Sequence, residues 1–187
     1  MNKKRCLAVA VMLLGCQLVC AHASRAAQTE NRMSAALDEW VTKTEKLVVP
    51  AAEAMPEDRY SFSPTYGEFH GVRTFGEQVK HLAAANYQLG ALILQEKPPH
   101  EERGETAPEP VKTKAEILAY LRGSFDYLHR AASAIHEDNA ATPIEVARGH
   151  METRVGLIVD ALAHSHDHYG QMVEYLRMNG IVPPASR

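Results

Sequence analysis

The sequence predicts an all-α fold, a four-helix bundle behind a cleavable export signal. Three observations predict it. Four segments repeat apolar residues at three- and four-residue spacing, no segment shows a convincing run of strand alternation, and the first residues follow the order of a signal peptide. A chain of 187 residues holds one domain with a proper core and is too short for two comfortable ones. The formal net charge is only -3, and no Lys/Arg-dense block appears beyond the first five residues, so a nucleic-acid partner is not expected.

Lys3, Lys4 and Arg5 form a charged start, Cys6 to Cys20 is almost wholly apolar, and Ala21-His22-Ala23 offers the small–x–small pattern read by signal peptidase. Residues 1–23 therefore read as a secretory signal, too short and wrongly flanked for a stable membrane span. Leu13-Leu14-Gly15-Cys16 loosely resembles a lipobox, so lipidation at Cys16 stands as the second reading, and an uncleaved anchor as a third. The mature protein is expected to be periplasmic or secreted. Cys6, Cys16 and Cys20 all leave with the signal, which excludes disulfides, thiolate metal sites and a cysteine nucleophile. Loss of Lys3, Lys4 and Arg5 with no acid takes the net charge from -3 to -6.

A polar stretch at residues 24–30 precedes the domain expected over residues 31–187. The first helix runs from about Asn31, with Met33, Leu37, Trp40, Val41, Leu47 and Val48 on its stripe. Pro50 is expected to kink or restart it, leaving Ala51–Met55 as a further turn. Pro56 to Arg73, with Pro64, Gly67 and Gly71, reads as a long irregular connection. Thr74 and Glu77 form a capping box for the second helix, whose apolar positions are Phe75, Val79, Leu82, Leu89, Leu92 and Ile93. Pro98-Pro99 ends it.

Thr113 and Glu116 cap the third helix, with Ile117, Leu118, Leu121, Phe125, Leu128, Ala132 and Ile135 on one face. A polar loop with Asn139 and Pro143 leads to a fourth helix expected from about Gly149 to Met178, stopped by Asn179-Gly180 and Pro183-Pro184. The long connections leave the bundle topology open.

Ten histidines are present, and most need no special account. His22 lies in the signal; His100, His136 and His150 sit in or beside polar loops; His70 lies in the irregular segment. His129 reads as a partly buried hydrogen-bonding residue. His164 and His168 are one turn apart on a face shared with Leu157, Ala161, Gln171 or Met172, and Tyr175, so both imidazoles should point into the bundle and can share one ion. His166 lies about 200° around the helix from His164 and should face outward. Such a pair alone is more often a surface feature or a satisfied core pair. A buried pair has fewer bland explanations, because each ring nitrogen needs a partner. His81, beside Ala83-Ala84-Ala85, is the one histidine of the second helix: on its own a structural residue, with the pair a third ligand.

These elements resemble the DinB-like (YfiT-like) superfamily of metal-dependent four-helix bundles. The likeness is carried by Val72-Arg73-Thr74-Phe75-Gly76-Glu77-Gln78-Val79-Lys80-His81, by His164 to His168 with Tyr169-Gly170-Gln171, by Trp40, and by the closing Tyr175-Leu176-Arg177-Met178-Asn179-Gly180-Ile181-Val182-Pro183-Pro184. The resemblance spans about Asn31 to Pro184. It implies His81, His164 and His168 as ligands to one divalent ion (zinc or nickel foremost, manganese or iron otherwise), a homodimer, and for some members thiol-dependent transfer or isomerisation. Export departs from that last point, because cytosolic thiol cofactors are scarce outside the inner membrane.

Three imidazoles leave coordination positions open, unlike a closed structural zinc site. The expected function is a metal-dependent hydrolase or transferase acting on a small molecule, with no general base assignable. Gln78, Asn86 and Gln171 are candidates to support the ligands or touch substrate, and each is equally a plain helix amide. Tyr169, about 100° from its neighbouring ligand, reads as packing or interface. The rival is a non-catalytic metal-binding or stress-related binding module whose open positions are blocked by residues such as Glu68 or His70. A third reading is an apo scaffold whose histidines bond one another or carboxylates.

Overall fold

The computed structural model describes residues 32–100 and 107–187. The expected signal peptide with its three cysteines and the polar stretch 24–30 lie outside the described residues. Four helices form the body: α1 over residues 32–54, α2 (Phe75–Leu94), α3 (Lys114–Ser133) and α4 (Arg154–Met178). No helix among the described residues is long and apolar enough to cross a membrane.

The helical hydrogen-bond pattern of α1 runs through Pro50, so of the expected kink or restart the restart does not occur. Proline forfeits one donor and crowds the preceding turn. Here Val48, Ala51, Ala52 and Met55 are fully buried around it, so core packing holds the helix where local propensity would break it. α1 lies along α3, joined to it by the Arg122–Glu53 ion pair and by Lys114 Nζ, which donates to the carbonyls of Glu53 and Met55 at 2.8 and 2.7 Å.

Both predicted capping boxes are present. Thr74 Oγ1 accepts from the Glu77 N–H while the Glu77 carboxylate accepts from the Thr74 N–H, and Thr113 with Glu116 does the same. The connection from Pro56 is irregular apart from a short 3-10 turn at Glu57–Arg59, and it has a structural task. The carbonyls of Tyr60 and Phe62 accept from the N–H groups of Gly76 and Phe75, both at 2.8 Å, serving donors that a helix start leaves without partners.

α2 is central, packed broadly on α3 and on α4, which barely touch each other. Gly90 permits the close approach to α3: a Cβ there would stand 2.6 Å from the Tyr127 ring. Ala83 and Ala84 are fully buried and Ala85 nearly so, as their small size suggested.

The fourth helix starts later than expected. Residues 143–153 form an antiparallel hairpin, Pro143–Ala147 (β1) with His150–Thr153 (β2), so the fold is mostly helical with one small sheet. Gly149, expected to open α4, adopts φ +75° and makes the hairpin turn; Thr153 then caps α4 by accepting from the Gly156 N–H. The first strand alternates over only five residues, with Ile144 buried and Val146 half-buried between exposed neighbours, and the second has no buried residue. At the far end, Ile181 N–H bonds the Leu176 carbonyl and Gly180 N–H the Arg177 carbonyl, with Gly180 at φ +72°. This is a Schellman stop.

Candidate metal centre

His81 stands in the second turn of α2, and His164 and His168 stand one turn apart in the middle of α4. The inward stripe of α4 is as predicted: Leu157, Ala161, Met172 and Tyr175 are buried, which turns both histidines towards α2. His81 and His168 are buried and His164 half-buried. His166 is exposed on the opposite side, its Nδ1 against the Leu162 carbonyl at 2.8 Å.

The three rings present the same atom to one point. His164 Nε2 is 3.2 Å from His81 Nε2 and 3.0 Å from His168 Nε2. Ligand atoms of all three lie within 4.8 Å of one another, the one such group of His, Cys, Asp or Glu among the described residues. Three nitrogens at about 2.1 Å from a shared ion would be separated by about 3.0–3.4 Å for inter-ligand angles between octahedral and tetrahedral. The spacing fits. Hydrogen bonding among the rings fits less well: an Nε2 offers either one N–H or one lone pair, so His164 cannot serve two neighbouring Nε2 atoms well. A cation takes all three lone pairs.

Charge points the same way. The imidazolium form of His168 is disfavoured, its pKa pushed down to about 4, first by burial and then by the positive charges of His164, His81 and Arg73, with Asp167 opposing. Its Nδ1 is buried with no hydrogen-bond partner among the described residues. A protonated ring would need acceptors for two N–H groups, so the neutral ligand form suits this place better.

Gln78 precedes His81 by three residues and Gln171 follows His168 by three, and the structure brings the two amides together. Gln78 Nε2 donates to Gln171 Oε1 at 2.5 Å, and Gln171 Nε2 donates to Asp167 Oδ2 at 2.9 Å. Because an ionised carboxylate only accepts, Asp167 fixes the orientation of Gln171, which fixes that of Gln78. The chain ends on Gln78 Oε1, a buried acceptor with no hydrogen-bond partner among the described residues. Asn86 is placed differently. Its Nδ2 donates to Ser124 Oγ and its Oδ1 accepts from Ser165 Oγ, both at 3.3 Å, joining α2, α3 and α4 in a buried polar knot.

Glu68 and His70 are exposed on the irregular segment and do not belong to the histidine group. Tyr169 is half-buried against the core. His136, placed in or beside a polar loop by the sequence, is half-buried, and its backbone N–H donates to Asn139 Oδ1. Arg73 and Asp167 were not singled out from the sequence, although Asp167 and Gln171 stand at the four-residue spacing that lets helical side chains meet.

The sequence profile of the DinB superfamily matches residues 41–172, a span holding all three histidines. The chain belongs to the DinB superfamily. The structure agrees: a DinB-like protein of Bacillus subtilis, YjoA, superposes with a TM-score of 0.59, covering 77% of this chain and 91% of that one at 16% identity. At that identity the likeness is one of fold. No curated protein matches. Within the DinB bundle, then, the histidine cluster lies between α2 and α4, where three side chains could hold one metal ion.

Proposed function

We propose that this DinB-superfamily protein is exported, binds one divalent ion through His81, His164 and His168, and acts as a metal-dependent hydrolase or transferase on a small molecule. The observation that carries the reading is the convergence of three Nε2 atoms at 3.0–3.2 Å on the inner faces of α2 and α4. Zinc or nickel suits three neutral imidazoles best, with manganese or iron as alternatives. Such an ion, when bound, supplies Lewis acidity that polarises an oxygen or sulfur and lowers the pKa of water.

The protein's own part is positioning. Burial keeps His168 neutral, the Asp167–Gln171–Gln78 chain holds one acceptor in a fixed direction, and the Asn86 knot keeps the helices in register. Gln78 and Gln171 are the residues we assign to substrate contact, and Asn86 to supporting the ligand-bearing helices. Export argues against a cytosolic thiol as co-substrate.

One observation favours the rival, a non-catalytic metal-binding module. The Gln78–Gln171 bond joins α2 to α4 one turn from the histidines and could bar a substrate's approach. The readings part on ligand exchange: an enzyme's ion accepts an added anion such as azide, whereas a blocked site does not.

The test is elemental analysis of mature protein purified from the exported fraction. Roughly one divalent ion per chain is expected, on a polypeptide starting at Ser24 after cleavage. Protein that carries no metal and takes up none from Zn²⁺, Ni²⁺ or Mn²⁺ would refute the proposal.

A further inference from the structure

The pairs Gln78–Gln171 and His81–His168 step in opposite directions along the chain, so α2 and α4 run antiparallel where they meet. That order sets three levels along the two helices. At the end of the bundle lies a cavity of about 530 Å³, within the usual size range of small-molecule sites and lined in part by Phe69, Val72, Tyr175 and Met178. One level in, Gln78 and Gln171 line the same cavity and are bonded to each other, Nε2 to Oε1, at 2.5 Å. About one helical turn further, the rings of His81 and His168 come within 4.7 Å, centroid to centroid. The amide pair therefore lies between the cavity and the histidine cluster.

The two amides are held unequally. Gln78 is 3% exposed. Gln171 is half-buried, and its other bond, to Asp167 Oδ2, lies at the surface. Gln171 is thus the one able to swing, since water can replace both of its partners. Gln78 has no such outlet. When Gln171 leaves, Gln78 Nε2 becomes a buried donor without its acceptor, which costs free energy and favours closure at rest. A molecule that brings an acceptor removes that cost by taking the place of Gln171 Oε1. Asp167 sets the polarity: as a carboxylate it accepts from Gln171 Nε2, which turns Oε1 to Gln78 and makes Gln78 the donor.

We infer that Gln171 governs which molecules pass from the cavity to the histidine cluster, as a latch that yields to a small molecule carrying a hydrogen-bond acceptor. The acceptor replaces Gln171 Oε1 on Gln78 Nε2. Selection is by acceptor and not by charge, because the carboxylates around the cavity are matched: Glu174 pairs with Arg177 at 2.8 Å, and Glu77 interacts with Lys80 and Arg73. The latch deepens the proposed function and rests on it for what the admitted molecule then meets. It also reconciles a cluster suited to an ion with an amide bond that closes the way to it.

The test is the reaction of metal-free protein with diethyl pyrocarbonate, a carbonyl reagent for neutral imidazole nitrogens, with initial rates read residue by residue by tandem mass spectrometry. Rates at His81 and His168 should rise about tenfold in Gln171→Ala, the order expected when a buried hydrogen bond no longer holds the closed state. Gln171→Met, which keeps the bulk and loses both bonds, should raise them by a smaller factor. Exposed His166 should keep its rate in both. A wild-type rate in either variant overturns the inference, as it would if the rings were reached past half-buried His164; so does an acceleration that His166 shares. A second measurement follows azide, an acceptor small enough to enter, through the visible absorption of cobalt-loaded protein. Azide should bind about tenfold faster to Gln171→Ala than to the wild type. Equal rates, or no azide binding by the variant, overturn the latch. Protein that takes up neither cobalt nor zinc refutes the metal reading instead, and the metal-free rates then decide the latch alone.

Discussion

His129 on α3 and His168 on α4 both sit on the inner parts of the bundle, but in opposite company. His129 is half-buried between two acids: its Nδ1 lies 2.5 Å from Asp38 Oδ1 and its Nε2 3.3 Å from Glu45 Oε2. Burial works against its charged form, yet the hydrogen bonds and charges of Asp38 and Glu45 outweigh it and hold the pKa above the ordinary histidine value. His168 is pushed down to about 4, first by burial and then by the facing imidazoles of His164 and His81 and by Arg73, with Asp167 in opposition. Carboxylates accept and therefore call for a ring with two N–H groups, which has no lone pair for a metal. Facing imidazoles call for lone pairs. Burial disfavours the charged ring at both places, and the neighbours decide whether that is overturned, as the acids do at His129, or reinforced, as the imidazoles do at His168.

The largest effect should separate the two groups by metal affinity. His168→Ala should weaken zinc binding by more than about 100-fold, beyond the range typical of residues that only orient a ligand, whereas His129→Ala should leave it unchanged. A calorimetric zinc titration of both variants checks this. Comparable losses would erase the distinction.

The pH dependence of the metal-free protein comes next. His168 is lowered, so between about pH 6.5 and pH 4 the unfolded chain takes up a proton that the folded chain refuses. Its stability contribution is present above the unfolded value and is lost as pH falls towards 4. His168→Gln should therefore flatten the acid side of the profile. His129 has the opposite sign: raised in the folded state, it stabilises fully below the unfolded value, and that contribution is lost as pH rises through its folded value. Urea midpoints measured across pH 4 to 8 for the two variants should change on opposite sides.

A smaller effect concerns the tie itself. His129→Gln should cost about 1 kcal/mol at pH 6, the modest scale expected for a partly exposed ionic group, without altering metal content. Smallest of all, His166→Ala should change neither stability nor zinc affinity measurably, because that ring is exposed.

The same contrast shows what was legible in the sequence. His164, His168 and the outward turn of His166 followed from helical periodicity, because Leu157, Ala161 and Met172 mark one face of a long regular helix. The capping boxes were equally readable, since both partners lie within four residues. His81 took its place through family resemblance: nothing local says which turn of α2 faces which turn of α4. The Asp38–His129–Glu45 group was seen only as a hydrogen-bonding histidine, because its acids lie on another helix 91 and 84 residues away. The hairpin at 143–153 escaped notice because its alternation is confined to Ile144 and Val146, and the restart expected at Pro50 does not occur because core burial overrides a local breaker. Periodicity reports a face. It does not report what the face meets.

The most direct test of the three-imidazole site is X-ray absorption at the zinc edge of the metal-loaded protein. Three imidazole nitrogens at about 2.0–2.1 Å, with one or more oxygen ligands and no sulfur, is the predicted spectrum. It should fall to two imidazoles in His81→Ala. A wild-type spectrum with two or fewer imidazoles, or one unchanged by His81→Ala, would contradict the assignment of His81, His164 and His168 to a common ion.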